Sequence, residues 1–490
     1  MVYAYLATPS FAVTTACLPH HGKEARVAHP TPRTAARQAR RHPDAAHRAA
    51  GLPFAHLLDP AQAQAALDAE RVSWRERWYS PLVTLYVFLG QLFDPDPSCR
   101  QAVARYLAYR LSSGQGACSA DPSAYGKARG RLPEAVLQRL ARGSAARAPE
   151  RPEWRWCGRP VKLVDGTTCS MPDTPRNQEA YPQPPSQKPG LGFPLVRVVV
   201  LFSLALGTAL DAALGRYQGK QQGEPSLWRS LGDVLAPGDV LLADRYYCSY
   251  WEVARAQACG ADVVLRLHQR RRIDFRRGQR LGADDHVVRW RRPPRPAWMD
   301  AATYAAVPAE LTVREARVAV SRTGFRTRVL DVATTLLDVA AVSRLALAEL
   351  YRRRWQAELD LRALKQTLQM DVLRGQSPAM VRKEIWGRLL VYNLIRTAMA
   401  EAAAAHASEP RSLSFKGALQ TVNAFAEPLR RASAAERPAL QAALLEAIAT
   451  HEVGDRPDRY EPRARKRRPK PYPLLTEPRP QARQRLATTT

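Results

Sequence analysis

Acidic residues are scarce in this chain: 45 Asp and Glu stand against 74 Lys and Arg, a formal charge of +29 over 490 residues. A surface of that sign repels cationic ligands and gathers polyanions, which puts nucleic acid ahead of other partners. Cysteine is sparse too. Cys17, Cys99, Cys118, Cys157, Cys169, Cys248 and Cys259 are odd in number and nowhere fall two residues apart. That excludes a disulfide framework and a zinc ribbon, and it fits a reducing cytoplasm. Long hydrophobic runs are also missing. The longest, Val198 to Leu210, is broken by Ser203, Gly207 and Thr208, and a bilayer crossing takes about 20 helical residues. No membrane span is expected. No basic residue precedes Lys23, so the first residues lack the charged start of a secretory signal, and a cytoplasmic location is expected.

What the sequence does hold is enough apolar material, 46%, for a sizeable core. Residues 1–50 include a stretch of basic residues, prolines and histidines without apolar periodicity, read as a flexible basic arm. Residues 51–150 have helical texture and are expected to form a helical N-terminal domain. From Trp154 to about Leu267, short β-branched runs such as "VKLVDG", "PLVRVVVLFSLA" and "DVLLADRYY" are bounded by turn residues. Three strands in succession, then helix, strand, helix and strand, predict a mixed α/β sheet covered by helices. Residues 270–328, rich in Pro and Arg with Trp290 and Trp298, read as a β-rich insertion. Helical pattern resumes near Arg344. Residues 401–454 form an Ala- and Leu-rich helical segment, expected either to cap the catalytic domain or to present an apolar stripe to a second copy. Residues 455–490 form a basic, proline-rich tail.

The candidate chemistry begins in "LAELYRRRWQAELDLRALKQTL". At roughly 100° per residue, Tyr351, Arg354, Glu358 and Lys365 share a helix face about 60° wide, beside an apolar stripe that includes Leu350, Ala357, Leu361 and Leu364. A salt-bridged helix surface gives the same pattern, because Arg354 and Glu358 are four apart. Two further carboxylates change the balance. Asp165 in "KLVDGTT" and Asp244 in "VLLADRYY" each follow an apolar strand, where a sheet delivers side chains to a site at its carboxyl edge. Three converging carboxylates repel unless cations bind them, and hard oxygen ligands select Mg²⁺, with Mn²⁺ able to substitute. Two such ions about 3.5–4 Å apart activate a nucleophilic oxygen and steady the leaving oxygen of a phosphoryl displacement.

Tyr351-x2-Arg354-x3-Glu358-x6-Lys365 resembles the YREK signature of DDE transposases of the IS-four (insertion sequence four) family. The segments around Asp165 and Asp244, the stretch "SCRQAV…AYGKARGRLP" and the tail "KRRPKPYPLLT" are similar to members of the same family, so the likeness runs from about Gly51 to Thr476. One departure is Gly126, where relatives often carry a cysteine.

The resemblance implies an RNase H-like catalytic domain over residues 154–400, in which Asp165, Asp244 and Glu358 hold two Mg²⁺ ions. The 114 residues from Asp244 to Glu358 match a family habit of inserting a β domain there. It further implies that Tyr351, Arg354 and Lys365 grip phosphates at the transposon end and that residues 51–150 bind DNA. A tryptophan of the insertion is expected to stack on a flipped base, with Trp290 and Trp298 both candidates. The implied activity is Mg²⁺-dependent cut-and-paste transposition on double-stranded terminal inverted repeats and target DNA, through a hairpin, by a homodimer in a synaptic complex. The rivals are a metal-dependent nuclease that does not join strands and a transposase-derived DNA-binding protein that has lost catalysis. The intact carboxylates and Tyr-Arg-Lys set weigh against the latter.

Overall fold

The computed structural model describes residues 57–74, 77–232, 234–319, 329–454 and 473–489. The expected basic arm (1–50) lies outside the described residues, as does the tail from 455 to 472. Among the described residues, five helices come first: α1 (Pro60–Ala69), α2 (Pro81–Phe93), α3 (Cys99–Ser112), α4 (Ser123–Arg131) and α5 (Glu134–Arg147). Their starts are written in the sequence. Asp59, Ser80 and Ser98 accept from the backbone N–H groups of Ala61, Val83 and Gln101. Pro60 and Pro81 sit in the first turn, where a missing N–H costs nothing. The apolar faces bury Leu85, Tyr86, Val103, Tyr125 and Leu137 together.

The sheet follows: β1 (Val161–Ser170), α6 (Pro175–Ala180), β2 (Leu195–Ser203), β3 (Ala209–Arg216), α7 (Glu224–Ser230), β4 (Val240–Ala243), α8 (Tyr250–Ala258) and β5 (Asp262–Arg266). Next come β6 (Gln279–Gly282), β7 (Asp285–Arg291), α9 (Ala301–Ala306), β8 (Glu310–Ala319) and β9 (Val329–Thr334). The nine strands among the described residues lie in the order β3-β2-β1-β4-β5-β9-β8-β7-β6. Within the first five, β1 pairs antiparallel with β2 and parallel with β4, and β4 is parallel to β5. This is the RNase H-like arrangement, so the expected fold is the observed one. The strands of the insertion extend the same sheet from β5 through antiparallel β9 instead of closing on themselves. Sequence texture shows strands but not their neighbours, so this continuity was invisible there.

Alternate residues serve opposite faces, as the strand period of two requires. Leu163, Val198, Val200 and Leu242 enter one core with the long helix of the C-terminal half. Val164, Val199, Leu241 and Ala243 enter the other with Trp228 and Val253. The C-terminal half comprises α10 (Arg344–Arg353), α11 (Trp355–Arg362), a π turn over Ala363–Thr367, α12 (Pro378–Ala405), α13 (Phe415–Arg431), α14 (Arg437–Ala449) and α15 (Arg479–Thr489). Among the described residues no helix is long and apolar enough to cross a membrane.

One expectation needs correction, and one pair of alternatives is narrowed. The helix carrying the polar face is not continuous. Arg354 N–H bonds the Tyr351 carbonyl, a tight three-residue step, and Leu368 N–H bonds the Ala363 carbonyl, a wide five-residue one. The segment is therefore a short helix between two irregular turns. The apolar stripe of residues 401–454 is also not presented outward. Val422, Leu429, Leu444 and Ile448 are buried where α13 and α14 pack on each other and on α12. Of the two roles expected for this segment, a cap on α12 is the one this packing fits.

Candidate active site

Asp165 and Asp244 meet because of strand register. In the parallel pair, Leu163 stands opposite Leu242, and each aspartate lies two residues further on. Both project from the same sheet face at the carboxyl end of β4. Asp244 is held by its own turn, its Oδ1 accepting from Tyr246 N–H at 2.8 Å, and Asp165 Oδ1 accepts from Gly166 N–H at 2.8 Å.

The short helix α11 packs against β1 on this face and brings the third carboxylate. Arg354 joins them: Nη2 is 2.5 Å from Glu358 Oε1 and Nη1 is 3.7 Å from Asp165 Oδ2. The salt bridge that the spacing of Arg354 and Glu358 allows is thus realised, but inside the site and shared with Asp165. Tyr351 is buried at the end of α10, and burial pushes its phenol up to about 12 against the pull of Arg354 and Arg266, with Asp244 also raising it. It is a neutral phenol within electrostatic reach of Asp244 and Arg354. Lys365 stands in the π turn, half-buried, its charge acting on Cys169 of β1.

Burial pushes the Asp165 carboxyl up to about 6, opposed by the Gly166 N–H and by Arg354 and reinforced by Asp244 and Glu224. Glu224 is the residue sequence reasoning missed. It opens α7 and lies against Gly166, where a Cβ would come within 2.4 Å of its Cδ, so a larger residue there would displace the glutamate side chain. Its own pKa is raised, first by burial, with Arg197 opposing and Asp244 reinforcing. The Tyr247 hydroxyl lies 3.4 Å from Glu224 Oε2. A helix-opening glutamate in "GEPSLW" carries no signal of this placement, because it follows from the chain crossing beside β1.

The two tryptophans are on the opposite sheet face from Asp165. Trp290 is buried in the core there. Its Nε1–H donates to Glu315 Oε1 at 2.8 Å, and the Arg271 guanidinium lies 3.7 Å over its ring. Trp298 is 38% exposed, with Arg229 over its ring at 4.0 Å and its ring set perpendicular to that of Trp251. A packed core role thus describes Trp290, and Trp298 keeps an open surface.

Among the described residues no three His, Cys, Asp or Glu side chains converge as a metal-holding group as placed, and Glu358 is turned to Arg354. The donor set nonetheless suits a hard divalent cation. It consists of carboxylate oxygens, and Asp165 is desolvated and repelled by its acidic neighbours, a situation a bound cation relieves.

A sheet of this order with aspartates at neighbouring strand ends and a glutamate on a helix packed beside them is the frame of a DDE-type, nucleic-acid-cleaving and -transferring enzyme. In agreement, residues 156–394 match the family model described as the transposase DDE domain, which implies use of a divalent metal. The chain is 29% identical over 360 residues, 72% of its length and 78% of the other's, to the transposase InsG for insertion sequence element IS4 of Escherichia coli (strain K12). Both matches make the chain similar to the DDE transposases of the IS4 family. It is also similar to a piggyBac transposase solved as a synaptic complex with hairpin DNA, at 8% identity over 82% of this chain and 84% of that one, with a TM-score of 0.40.

Proposed function

We propose that this chain carries out cut-and-paste transposition of an insertion sequence, with Asp165, Asp244 and Glu358 holding two Mg²⁺ ions that Mn²⁺ can replace. When bound, the ions activate an attacking oxygen and stabilise a leaving one. The observation that carries this reading is the shared position of Arg354 between Asp165 and Glu358. A guanidinium placed there neutralises the carboxylates in the resting chain and lies where the phosphate of a DNA end has to come. Arg354 suits a phosphate through paired N–H donors, Lys365 as a point charge, and Tyr351 as a neutral donor.

The reaction sequence is cutting of one strand at each end, attack of the freed 3′-hydroxyl on the opposite strand to leave a hairpin, opening of the hairpin, and joining to target DNA. All are in-line displacements at phosphorus, so one grip on successive phosphates serves them all. Of the two tryptophans, Trp298 has the exposed ring for stacking on a flipped base, which offsets an unstacking cost of a few kcal/mol. Both ends must be cut and joined in concert, so the working form is a dimer on two double-stranded ends.

Asp165→Asn, Asp244→Asn and Glu358→Gln are each expected to abolish cleavage of a labelled end substrate while leaving end binding near that of the parent. Each amide keeps the shape and removes the charge. Near-normal cleavage by one of them would remove that residue from the site. Cleavage by the parent without strand-transfer product would favour the nuclease reading, and cleavage that survives chelation would exclude the metal.

A further inference from the structure

The helix that presents Glu358 is eight residues long and is bounded by the tight step at Arg354 and the π turn at Ala363–Thr367. At both junctions the hydrogen-bond spacing changes while the backbone stays helical, so contacts with neighbouring elements share in setting the direction in which Glu358 points. Two residues after Glu358, and so on the opposite side of this helix, stands Asp360, fully buried. Its Oδ1 accepts from Arg396 Nη2 at 2.6 Å and Arg411 Nη1 at 2.7 Å, and lies 2.8 Å from the Tyr392 hydroxyl. Tyr392 and Arg396 belong to α12, and Arg411 to the segment that follows it.

These partners are themselves tied to the sheet. Arg411 donates to the Ser203 and Leu204 carbonyls at the end of β2, 2.9 and 2.7 Å away. The Tyr392 hydroxyl, which accepts from Arg396 Nε at 3.0 Å, is 2.8 Å from the Gly207 carbonyl. Its one proton serves either that carbonyl or Asp360. Gly207 has φ +79, and a Cβ there would come within 2.6 Å of Arg411 Nη1, so the turn leaves the guanidinium its place only as glycine. One carboxylate oxygen thereby links α11, α12 and the β2–β3 turn, the last being continuous with the strand paired to β1.

We infer that Asp360 is a positioning residue: clamped by Arg396, Arg411 and Tyr392, it sets the roll of α11 so that Glu358 faces Asp165. The clamp acts through Glu358 and touches no substrate. Two guanidiniums against one carboxylate also leave a buried excess of positive charge, which makes the carboxylate indispensable to the arrangement.

The inference rests on the proposed metal role of Glu358, and the test separates the two. Mn²⁺ binding to the full-length chain, followed by electron paramagnetic resonance, is compared for the parent, Glu358→Gln, Asp360→Asn and Tyr392→Phe, with thermal unfolding measured in parallel. Partners that orient metal ligands typically carry roughly 10–100-fold in metal affinity. Asp360→Asn is expected to bind Mn²⁺ about tenfold more weakly, at the low end of that range, and Tyr392→Phe, which removes one of three partners of the carboxylate, roughly threefold, below it. An unfolding temperature that falls while Mn²⁺ affinity stays at the parent value would make the clamp merely structural and overturn the inference. If Asp360→Asn does not fold, Tyr392→Phe decides, and unchanged affinity in that variant overturns the inference. Parent and Glu358→Gln binding Mn²⁺ alike would overturn the metal role of Glu358 and the clamp's purpose with it.

Discussion

At the scale of single residues, Asp165 carries opposed demands. A carboxyl pushed up from an ordinary 3.8 to about 6, chiefly by burial, favours the fold while protonated. That contribution is complete below the ordinary value and is lost as pH rises through 6. At about 1.4 kcal/mol per unit, the loss is on the order of 3 kcal/mol. Metal-free Asp165→Asn is therefore expected to be more stable than the parent at pH 8, with the gap closing by pH 4. Denaturant unfolding in chelator at the two pH values checks this, and a parent as stable at pH 8 as the variant would show that Arg354 fully compensates the charge. Arg354 makes its own prediction. Lysine keeps the charge but loses the paired donors, and hydrogen bonds to charged groups contribute about 1.5–3 kcal/mol. Arg354→Lys should accordingly slow cleavage or hairpin formation by roughly 10–100-fold. Transposition at the parent rate would reduce Arg354 to a counter-ion of Glu358.

At the scale of elements, the insertion and the main sheet share one core. Trp290 is packed with Leu311 and Val313 of β8 on the face that holds Tyr250 and Val253 of α8. Trp290→Ala should lower the stability of the chain by about 3–5 kcal/mol, leaving Glu315 without its indole donor. Trp298→Ala, at a partly exposed ring, should cost far less stability. It should selectively reduce hairpin formation, because stacking of a base on an aromatic ring is worth about 1–3 kcal/mol. Thermal unfolding and product analysis on hairpin-forming substrates distinguish the two, and a hairpin defect confined to a folded Trp290 variant would reverse the assignment. The same logic covers α13 and α14, whose buried stripe makes them a cover for α12 before any role in pairing two copies.

At the scale of the whole molecule, charge sets how the chain finds DNA. Residues 455–490 hold eleven basic and four acidic residues. Deleting them should weaken DNA binding and flatten its dependence on salt, by about 0.9 in log–log slope for each phosphate no longer neutralised. Preference for the end sequence should survive. An unchanged slope would make the tail a bystander. The dimer is tested by sizing the protein with and without paired ends, where completion of cleavage and joining by a 1:1 complex would refute it.

Local sequence was enough for the signs and the parts. Strand period, Asp and Ser caps and Pro-opened helices are local, so the helices and the β-branched strands were legible as text. The spacing of Tyr351, Arg354, Glu358 and Lys365, with Asp165 and Asp244 at strand ends, named the candidate site. Tertiary packing settled what depends on contacts between distant residues. It placed Glu224 against Gly166, broke the expected straight helix at Arg354, joined the insertion to β5 through β9, and buried the stripe of α13 and α14. It also brought Asp360, Tyr392, Arg396 and Arg411 to a single oxygen, although Asp360 and Arg411 are 51 residues apart. Each of these outcomes follows from which surfaces exclude water together, a property of pairs of segments that no window along one segment contains.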